Sequence, residues 1–151
     1  MRQLLQARPE LSCVWCLHPN PAVADTVRAV FDNLAEAVTE RLALVAPLAY
    51  PDMLAVMRDA DVLLSDSGGI QEESVSLRLP VLIARQDTER PEVVDCGAGR
   101  LVGTATDRVL QAVNQLLDSA THYEAMTGEV QNPFGDGRAG QSIAEALLGT
   151  A

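Results

Sequence analysis

The chain has 151 residues, of which 48% are hydrophobic and only 3% aromatic. We expect a single domain, residues 1–151, that buries roughly 68–70% of its unfolded surface around an aliphatic core. The formal net charge of −10 argues against a broad nucleic-acid or anionic-membrane surface. Three cysteines make no disulfide framework, and no segment resembles a signal peptide or a membrane span. We therefore expect a soluble, cytoplasmic protein.

Short apolar runs alternate with helical patterns along the chain. The alternation predicts an α/β fold with a Rossmann-like parallel sheet covered by helices on both faces, in which ligands bind at the carboxyl ends of the strands. The predicted strands are residues 13–17, 42–46, 61–65, 80–84 and 99–102. The predicted helices are Arg2–Ala7 and residues 22–39, 51–59, 69–77, 91–96, 107–118, 121–128 and 138–148, and the last of them ends in a frayed tail that reaches residue 151.

Cys13 and Cys16 form a C-x-x-C pair within the first predicted strand. This spacing also occurs in redox and zinc sites. Side chains three positions apart in a strand point to opposite faces, however, and no second Cys/His pair completes a set of four ligands. We therefore interpret both cysteines as small buried apolar side chains.

The most informative run is Ser-Asp-Ser-Gly-Gly-Ile-Gln-Glu-Glu at residues 65–73, which leads from a predicted strand into a predicted helix. Backbone N–H groups in the first turn of a helix lack partners and, with the helix dipole, attract anions. Ser67, Gly68 and Gly69 therefore fit a phosphate cradle, because glycines let the backbone approach a ligand closely. A tight turn with Ser67 as N-cap explains the same residues, so both interpretations stay open.

Glu73 and His18 are two further candidate site residues. Glu73 follows Gly69 by one helical turn, so it either accepts hydrogen bonds from the vicinal hydroxyls of a ribose or is a solvated acid near the helix start. His18 follows the first strand, where its titratable ring suits a donor or general acid near a diphosphate, although a lone histidine is commonly structural.

Arg85 and Arg90 follow the fourth predicted strand. The planar guanidinium group pairs bidentately with phosphate or carboxylate, which makes both residues candidate anion ligands. Internal ion pairs with Glu89 or Glu92 are the structural alternative. The sequence alone does not decide between anion binding and internal ion pairs for these two arginines.

Five motifs occur along the chain: HPNP at 18–21, the Pro47-Leu48-x-Tyr50 loop, SDSGGIQEE at 65–73, TERPE at 88–92 and NPFGDG at 132–137. In this order and at these separations they resemble the carboxyl-terminal domain of the non-hydrolysing UDP-N-acetylglucosamine 2-epimerases, over essentially all 151 residues. The resemblance implies a single UDP-binding, Rossmann-like domain, the carboxyl-terminal half of a GT-B-like two-domain fold. It also implies an isomerase that interconverts UDP-GlcNAc and UDP-ManNAc by eliminating and re-adding UDP, without a metal or redox cofactor.

The resemblance implies a role for each matching residue. The diphosphate would be held by Ser67, Gly68, Gly69 and Arg90, and the ribose hydroxyls by Glu73. Leu48 and Met53 would frame the uracil, and His18 would lie near the diphosphate and sugar, where it would stabilise departing UDP. For Ser67, Glu73, Arg90 and His18 these roles agree with the functional interpretation of each residue type.

The same resemblance implies that catalysis needs more protein. In the family an amino-terminal domain supplies a basic pair and the carboxylates that move the C2 proton, and an earlier strand carries a His-Arg-Arg-Glu-Asn-like signature; neither occurs in this sequence. We therefore expect a fragment or one half of a split enzyme, inactive without its other half, with a separately encoded amino-terminal half as candidate partner and a homodimer when complete.

Two other functions are compatible with parts of the sequence. One is a non-catalytic UDP-sugar-binding module or remnant, which the missing catalytic groups would explain. The other is a hydrolysing epimerase or a glycosyltransferase of similar fold, which TERPE and NPFGDG disfavour. Under the main hypothesis the ligands are UDP-GlcNAc and UDP and the context is polysaccharide biosynthesis, with no nucleic-acid or membrane partner.

Overall fold

The computed structural model describes residues 1–149, so the last two residues of the predicted tail lie outside the described residues. The chain divides into two compact units, Met1–Asp59 and Ala60–Ala151. Each unit contains parallel strands connected through helices, which confirms the predicted α/β class. The prediction of a single domain stays a prediction. Within residues 1–149, no helix has both the length and the apolar character needed to cross a membrane.

The first unit pairs two parallel strands, with Cys13 beside Leu42 and Cys16 beside Val45. Its elements are α1 (Arg2–Ala7), β1 (Cys13–Cys16), α2 (Pro21–Phe31), α3 (Glu36–Thr39), β2 (Leu42–Val45) and α4 (Tyr50–Arg58). The single helix predicted over 22–39 is wrong, because the chain breaks between α2 and α3. Asp32 is extended and Asn33 has φ of 57°, a left-handed conformation that asparagine tolerates better than most residues.

The core of the first unit forms around Leu5, Phe31 and Val38. Trp15 of β1 packs edge-to-face on Phe31, with ring centroids 5.5 Å apart, an arrangement that adds to the burial energy of aromatic rings. Arg41, just before β2, donates hydrogen bonds to backbone carbonyls of α1, of α3 and of the segment between α1 and β1. These bonds tie the entrance of β2 to the amino-terminal helix.

The second unit contains a sheet with the strand order β3-β4-β5, all parallel. Its elements are β3 (Leu63–Ser65), α5 (Gly68–Ser76), β4 (Val81–Ile83), α6 (Pro91–Asp95), β5 (Gly99–Leu101), α7 (Thr106–Asp118), α8 (Ala120–Thr127) and α9 (Ala139–Leu148). Strand β4 is fully buried, as expected for the central strand of a covered parallel sheet. The loops after β3 and β4 therefore leave the same edge of this sheet.

The core of the second unit includes Val75, Val81, Ile83 and Val93, all nearly inaccessible to solvent. Gly99, the first residue of β5, lies against this cluster so closely that an added Cβ would stand 2.5 Å from Cγ1 of Val93. Only glycine fits there without movement of its neighbours. The core thus holds α5 and α6 against the sheet, and these helices carry the candidate phosphate-binding residues.

Candidate functional site

The loop after β3 leads directly into α5, and Ser67 is the N-cap residue of this helix. Its side chain makes no capping hydrogen bond, although an N-cap serine ordinarily accepts one from the first turn. The first helical bond, from Gln71 N–H to the Ser67 carbonyl, is long at 3.4 Å. The N–H groups of Gly68, Gly69 and Ile70 precede that bond and have no carbonyl within the helix to reach. This helix start therefore presents backbone N–H donors and a hydroxyl that the helix itself does not use.

Gly68 and Gly69 are not explained by the local backbone or by packing. Neither glycine has the positive φ that would require glycine, and a Cβ added at either position would meet nothing within 4 Å. In the first turn of a helix another residue would be conformationally cheaper. What the glycines provide is open access to the backbone N–H groups, which is what a bound phosphate requires.

Arg90 lies in the loop after β4, where it is the N-cap residue of α6. Its Nε donates to Oε1 of Glu72 on α5, and its Nη1 donates to the Glu89 carbonyl at 3.1 Å. The hydrogen bond to Glu72 raises the pKa of Arg90 above its ordinary value, so the group is a permanent cation. Both side chains of this ion pair remain more than one third exposed, which keeps the guanidinium accessible to an anion.

The ion pairs differ in part from those considered on the sequence. Arg85 pairs with Glu89, at 3.4 Å, which is the internal ion pair considered as the alternative to anion binding. Arg90 pairs with Glu72 rather than with the Glu89 or Glu92 carboxylate. This partner could not be predicted from the sequence, because residues 72 and 90 are eighteen positions apart. Only the pairing of β3 with β4 brings α5 next to the loop that carries Arg90.

Gln71 connects α5 to the loop that carries Arg90, and sequence reasoning missed it. Its side-chain amide donates to the Ser67 carbonyl at 3.1 Å and accepts from the Thr88 hydroxyl at 2.7 Å. The Thr88 hydroxyl in turn accepts the backbone N–H of Arg90 at 3.0 Å. The available signal was its spacing, because Gln71 lies four positions before the buried Val75 and therefore on the same face of α5.

Glu73 lies on α5 one turn after Gly69 and is half-buried. Its carboxylate has no hydrogen-bond partner among residues 1–149, in contrast to the neighbouring Glu72. A carboxylate with free acceptor capacity beside the helix start can accept hydrogen bonds from ligand hydroxyls. The arrangement is the one that the ribose-binding prediction needs, and that role stays a prediction.

The NPFGDG motif, residues 132–137, lies between α8 and α9. The structure gives it contacts within the second unit: Asn132 donates to the Ser76 hydroxyl at the end of α5, at 3.0 Å. Phe134 packs on the buried core, and its N–H donates to the Asn132 side chain at 2.9 Å. The motif therefore supports the far end of the helix whose start carries Gly68 and Gly69.

His18 belongs to the first unit and follows β1 after the buried Leu17. Its Nδ1 accepts the N–H of Asn20 at 3.1 Å, so the neutral ring carries its proton on Nε2. Asn20 also caps α2, because its side chain accepts from the Ala22 N–H. The His-Pro-Asn-Pro motif is thus a helix-capping turn that leaves the exposed ring with an Nε2–H donor.

Leu48 and Met53 follow β2 in the same unit. Leu48 lies in the loop before α4 and Met53 lies in the first part of this helix, where its N–H donates to the Ala49 carbonyl at 2.9 Å. Both side chains are half-buried. Each therefore offers an accessible apolar surface, which is compatible with contact to a planar base.

The cysteines are free thiols, and Cys13 and Cys16 are partly buried on β1. Burial raises the pKa of both thiols above the ordinary value, which disfavours the thiolate that redox chemistry and metal binding need. Cys13 packs on the core of the first unit, in agreement with the apolar interpretation. Among the described residues no cluster of His, Cys, Asp or Glu suits a metal ion.

The second unit thus brings together Ser67, Gly68, Gly69, Glu73 and Arg90, all on α5 or hydrogen-bonded to it. Parallel strands, helices on both faces and a glycine-rich strand-to-helix turn define an α/β protein of the Rossmann-like class, the architecture of one half of GT-B-like enzymes. A family model described as UDP-N-acetylglucosamine 2-epimerase matches residues 1–148. The chain belongs to that family.

Individual relatives agree with this assignment. The chain is 40% identical over 147 residues to a UDP-N-acetylglucosamine 2-epimerase of Yersinia pestis, covering 97% of this chain and 38% of that protein. A UDP-N-acetylglucosamine 2-epimerase of Escherichia coli K12 is 40% identical over 138 residues, 91% of this chain and 35% of that protein. The chain therefore spans less than two fifths of the length of these relatives.

Solved structures show the same fold. UDP-GlcNAc 2-epimerase of Neisseria meningitidis, in a crystal structure with UDP-GlcNAc bound, superposes with a TM-score of 0.84 at 36% identity, covering 98% of this chain and 39% of that one. The Staphylococcus aureus MnaA–UDP co-structure gives a TM-score of 0.86 at 34% identity, with coverage of 99% and 39%.

Proposed function

We propose that this chain supplies the UDP-binding part of a non-hydrolysing UDP-N-acetylglucosamine 2-epimerase, which interconverts UDP-GlcNAc and UDP-ManNAc by elimination and re-addition of UDP. Family membership supports the reaction class. Similarity to one structure with UDP-GlcNAc bound and another with UDP supports the ligand. The context would be polysaccharide biosynthesis in the cytoplasm.

The observation that carries the proposal is the start of α5. Its first-turn N–H groups and the Ser67 hydroxyl lack partners within the helix, and its two glycines leave open space in front of them. A diphosphate supplies the acceptors and negative charge that this helix start attracts. In a chain with a net charge of −10, such a site must bind its anion by local geometry rather than by a general positive field.

The proposed roles follow the chemistry of each side chain. In the second unit Ser67, Gly68, Gly69 and Arg90 would bind the diphosphate, and Glu73 the ribose hydroxyls. In the first unit the Nε2–H of His18 would donate to the leaving UDP and act in catalysis, while Leu48 and Met53 would contact the uracil. Hydrogen bonds to a charged phosphate are the strongest of these contacts.

The complete reaction needs a base and an acid aligned on opposite sides of the sugar. The matched relatives have more than half of their length outside the region aligned with this chain, and the proposed enzyme needs the groups that this remainder carries. We propose that the active form is a homodimer that includes such a part. By itself, the chain is expected to bind UDP weakly and to show no turnover.

Proton NMR of the purified chain with UDP-GlcNAc tests both statements in one sample. Broadened uridine signals without new anomeric signals are the expected result. Anomeric signals of UDP-ManNAc would overturn the expectation that further groups are required. Unchanged ligand spectra at millimolar protein and ligand would instead overturn UDP binding by this chain.

Matched variants connect the binding to the proposed residues. Arg90→Ala should weaken UDP binding by roughly tenfold or more, because it removes charge-assisted hydrogen bonds to the diphosphate, which are stronger than hydrogen bonds between neutral groups. Gly69→Val places a branched side chain in the open space before the helix start and should abolish binding. Gly140→Val is its control, because Gly140 is likewise the second residue of a helix with nothing within 4 Å.

A further inference from the structure

Gln71 is a completely buried polar side chain, with 0% of its surface exposed. Burying an amide group costs free energy unless each of its polar atoms is hydrogen-bonded. In the fold Nε2 donates to the Ser67 carbonyl and Oε1 accepts from Thr88. An aliphatic side chain would fill the same space without needing these partners, so the specific bonds call for an explanation.

The bond to Ser67 controls the direction of a proposed phosphate donor. The Ser67 carbonyl and the Gly68 N–H belong to one trans peptide group, in which the two bonds point in opposite directions. The Gln71 side chain and, more weakly, its backbone N–H hold that carbonyl toward the helix, at 3.1 and 3.4 Å. The Gly68 N–H is thereby turned away from the helix, toward the open space before it.

The bond to Thr88 carries the same constraint to the neighbouring loop. The Thr88 hydroxyl donates to Gln71 and accepts the backbone N–H of Arg90, at 2.7 and 3.0 Å. The backbone of Arg90 is thus fixed relative to the start of α5 independently of the ion pair with Glu72. One buried amide connects the two segments that carry the proposed diphosphate ligands.

We propose that Gln71 is a positioning residue, with Thr88 as its partner, that aligns the Gly68 N–H and Arg90 for a shared anionic ligand. This assignment rests on the proposed function for the identity of the ligand, a nucleoside diphosphate. The alignment itself is a property of the unliganded fold. It is strongest when both hydrogen bonds of the Gln71 amide are present.

Two substitutions at Thr88 test the proposal with little change of volume. Thr88→Val removes the hydroxyl and Thr88→Ser keeps it. Thr88→Val should lower the affinity for UDP by about five- to tenfold, the range that the loss of one or two hydrogen bonds gives, while Thr88→Ser should bind like the unsubstituted chain. Gln71→Met, which removes both bonds, should have the larger effect.

The readout combines a UDP titration by NMR with the ¹⁵N–¹H resonances of Gly68 and Arg90 recorded without ligand. We expect Thr88→Val to shift the Gly68 resonance and Gln71→Met to shift the Arg90 resonance, because each change reaches the other segment only through the Gln71–Thr88 hydrogen bond. Thr88→Ser should leave both resonances in place. A purely space-filling role of Gln71 would not produce this pattern. An unchanged Gly68 resonance in Thr88→Val would overturn the proposal, as would a UDP affinity of Thr88→Val within twofold of the unsubstituted chain.

The two levels of hypothesis fail separately in this experiment. If the unsubstituted chain does not bind UDP, the proposed function fails for this chain, whereas coupled amide shifts still support the alignment. If UDP binds but the Thr88 substitutions change neither the amide resonances nor the UDP affinity, the positioning role is wrong and the proposed function stands. Gln71→Met also needs a thermal melt, and should it unfold, the Thr88 pair decides the outcome.

Discussion

Arg90 has two possible partners, because the guanidinium that would bind phosphate already pairs with Glu72. Both residues are more than one third exposed, and an exposed ion pair contributes little to stability. The pair therefore does not lock Arg90 in place. A phosphate at the start of α5 either displaces the Glu72 carboxylate or shares the guanidinium with it.

We expect competition, so Glu72→Gln should strengthen UDP binding. The substitution keeps the shape of the side chain and removes its charge, and the gain should be up to about fivefold, the energy of an exposed ion pair. Isothermal titration of the variant against UDP measures it. Glu129→Gln is the control, since it removes an equal charge from an exposed position. Weaker binding by Glu72→Gln would mean that Glu72 orients Arg90 instead.

Cys13 permits a second test at the scale of one side chain. Because burial raises the pKa of this thiol, the folded chain holds less thiolate at pH 8 than the unfolded chain does. We expect a thiol reagent to react with Cys13 at least about tenfold more slowly in the folded chain than in urea, measured in a Cys16→Ala/Cys96→Ala background. Equal rates would show that Cys13 is accessible and unperturbed.

The same shift gives a sign for the pH dependence of stability. A thiol whose pKa is raised on folding stays protonated in the folded state while the unfolded chain ionises. Its stabilising contribution is therefore complete below the unfolded pKa of about 8.5 and is lost as the pH rises through the folded pKa. Urea unfolding between pH 7 and 10 should show this loss, and Cys13→Ala should reduce it.

At the scale of elements, Gly99 shows how closely β5 approaches α6. An added Cβ would stand 2.5 Å from Val93 and 3.3 Å from Ile83, so Gly99→Ala must displace a packed core. We expect a loss of about 1–3 kcal/mol in the free energy of unfolding, measured by urea denaturation. Gly140→Ala, in an open helical position, should be neutral or stabilising by up to about 1 kcal/mol. Equal effects would contradict the packing argument.

Much of the element order could be predicted from the sequence, because apolar runs such as Val81–Ile83 are short and are bounded by glycine, proline or polar residues. The Ser67–Gly68–Gly69 turn was predicted correctly because its residue types are typical of the start of a helix. The break after Phe31 was missed, since Asp32 and Asn33 also occur in helices and only the left-handed φ of Asn33 reveals it. The local sequence pattern therefore predicts most strands and helices, but a single backbone dihedral angle can end a helix without a clear signal in the sequence.

The candidate site was predicted less completely, for a different physical reason. Residues such as Ser67 and Arg90 were recognised from their own chemistry. The contacts of Gln71 with Thr88 and of Glu72 with Arg90 join positions seventeen and eighteen residues apart. Such contacts depend on which strands pair, and residue types do not encode that pairing locally.

At the scale of the whole molecule, charge and exposed apolar surface act against each other. The net charge of −10 at pH 7 keeps molecules apart, whereas Ile143, Leu147 and Leu148 of α9 are 60%, 82% and 77% exposed. Repulsion vanishes near the sequence pI of about 4.5, and apolar contacts between molecules then dominate.

We therefore expect a solubility minimum near pH 4.5 that becomes shallower in the double variant Leu147→Gln/Leu148→Gln. These substitutions leave the charge unchanged and remove exposed apolar surface from α9. Light scattering across pH 4 to 8 measures the effect, with circular dichroism to verify that the variant is folded. A minimum of unchanged depth would mean that α9 does not contribute to association.

Selection for stability and selection for ligand binding should favour different residues at position 69. Because nothing surrounds the position of its missing Cβ, a library selected only for resistance to proteolysis should accumulate alanine and larger helix formers there, since they lower the entropy of the unfolded chain. A library selected for retention of a nucleotide ligand should return glycine. Positions where the two libraries disagree would outline the binding surface without any ligand-bound structure, and position 69 is where the disagreement should be largest.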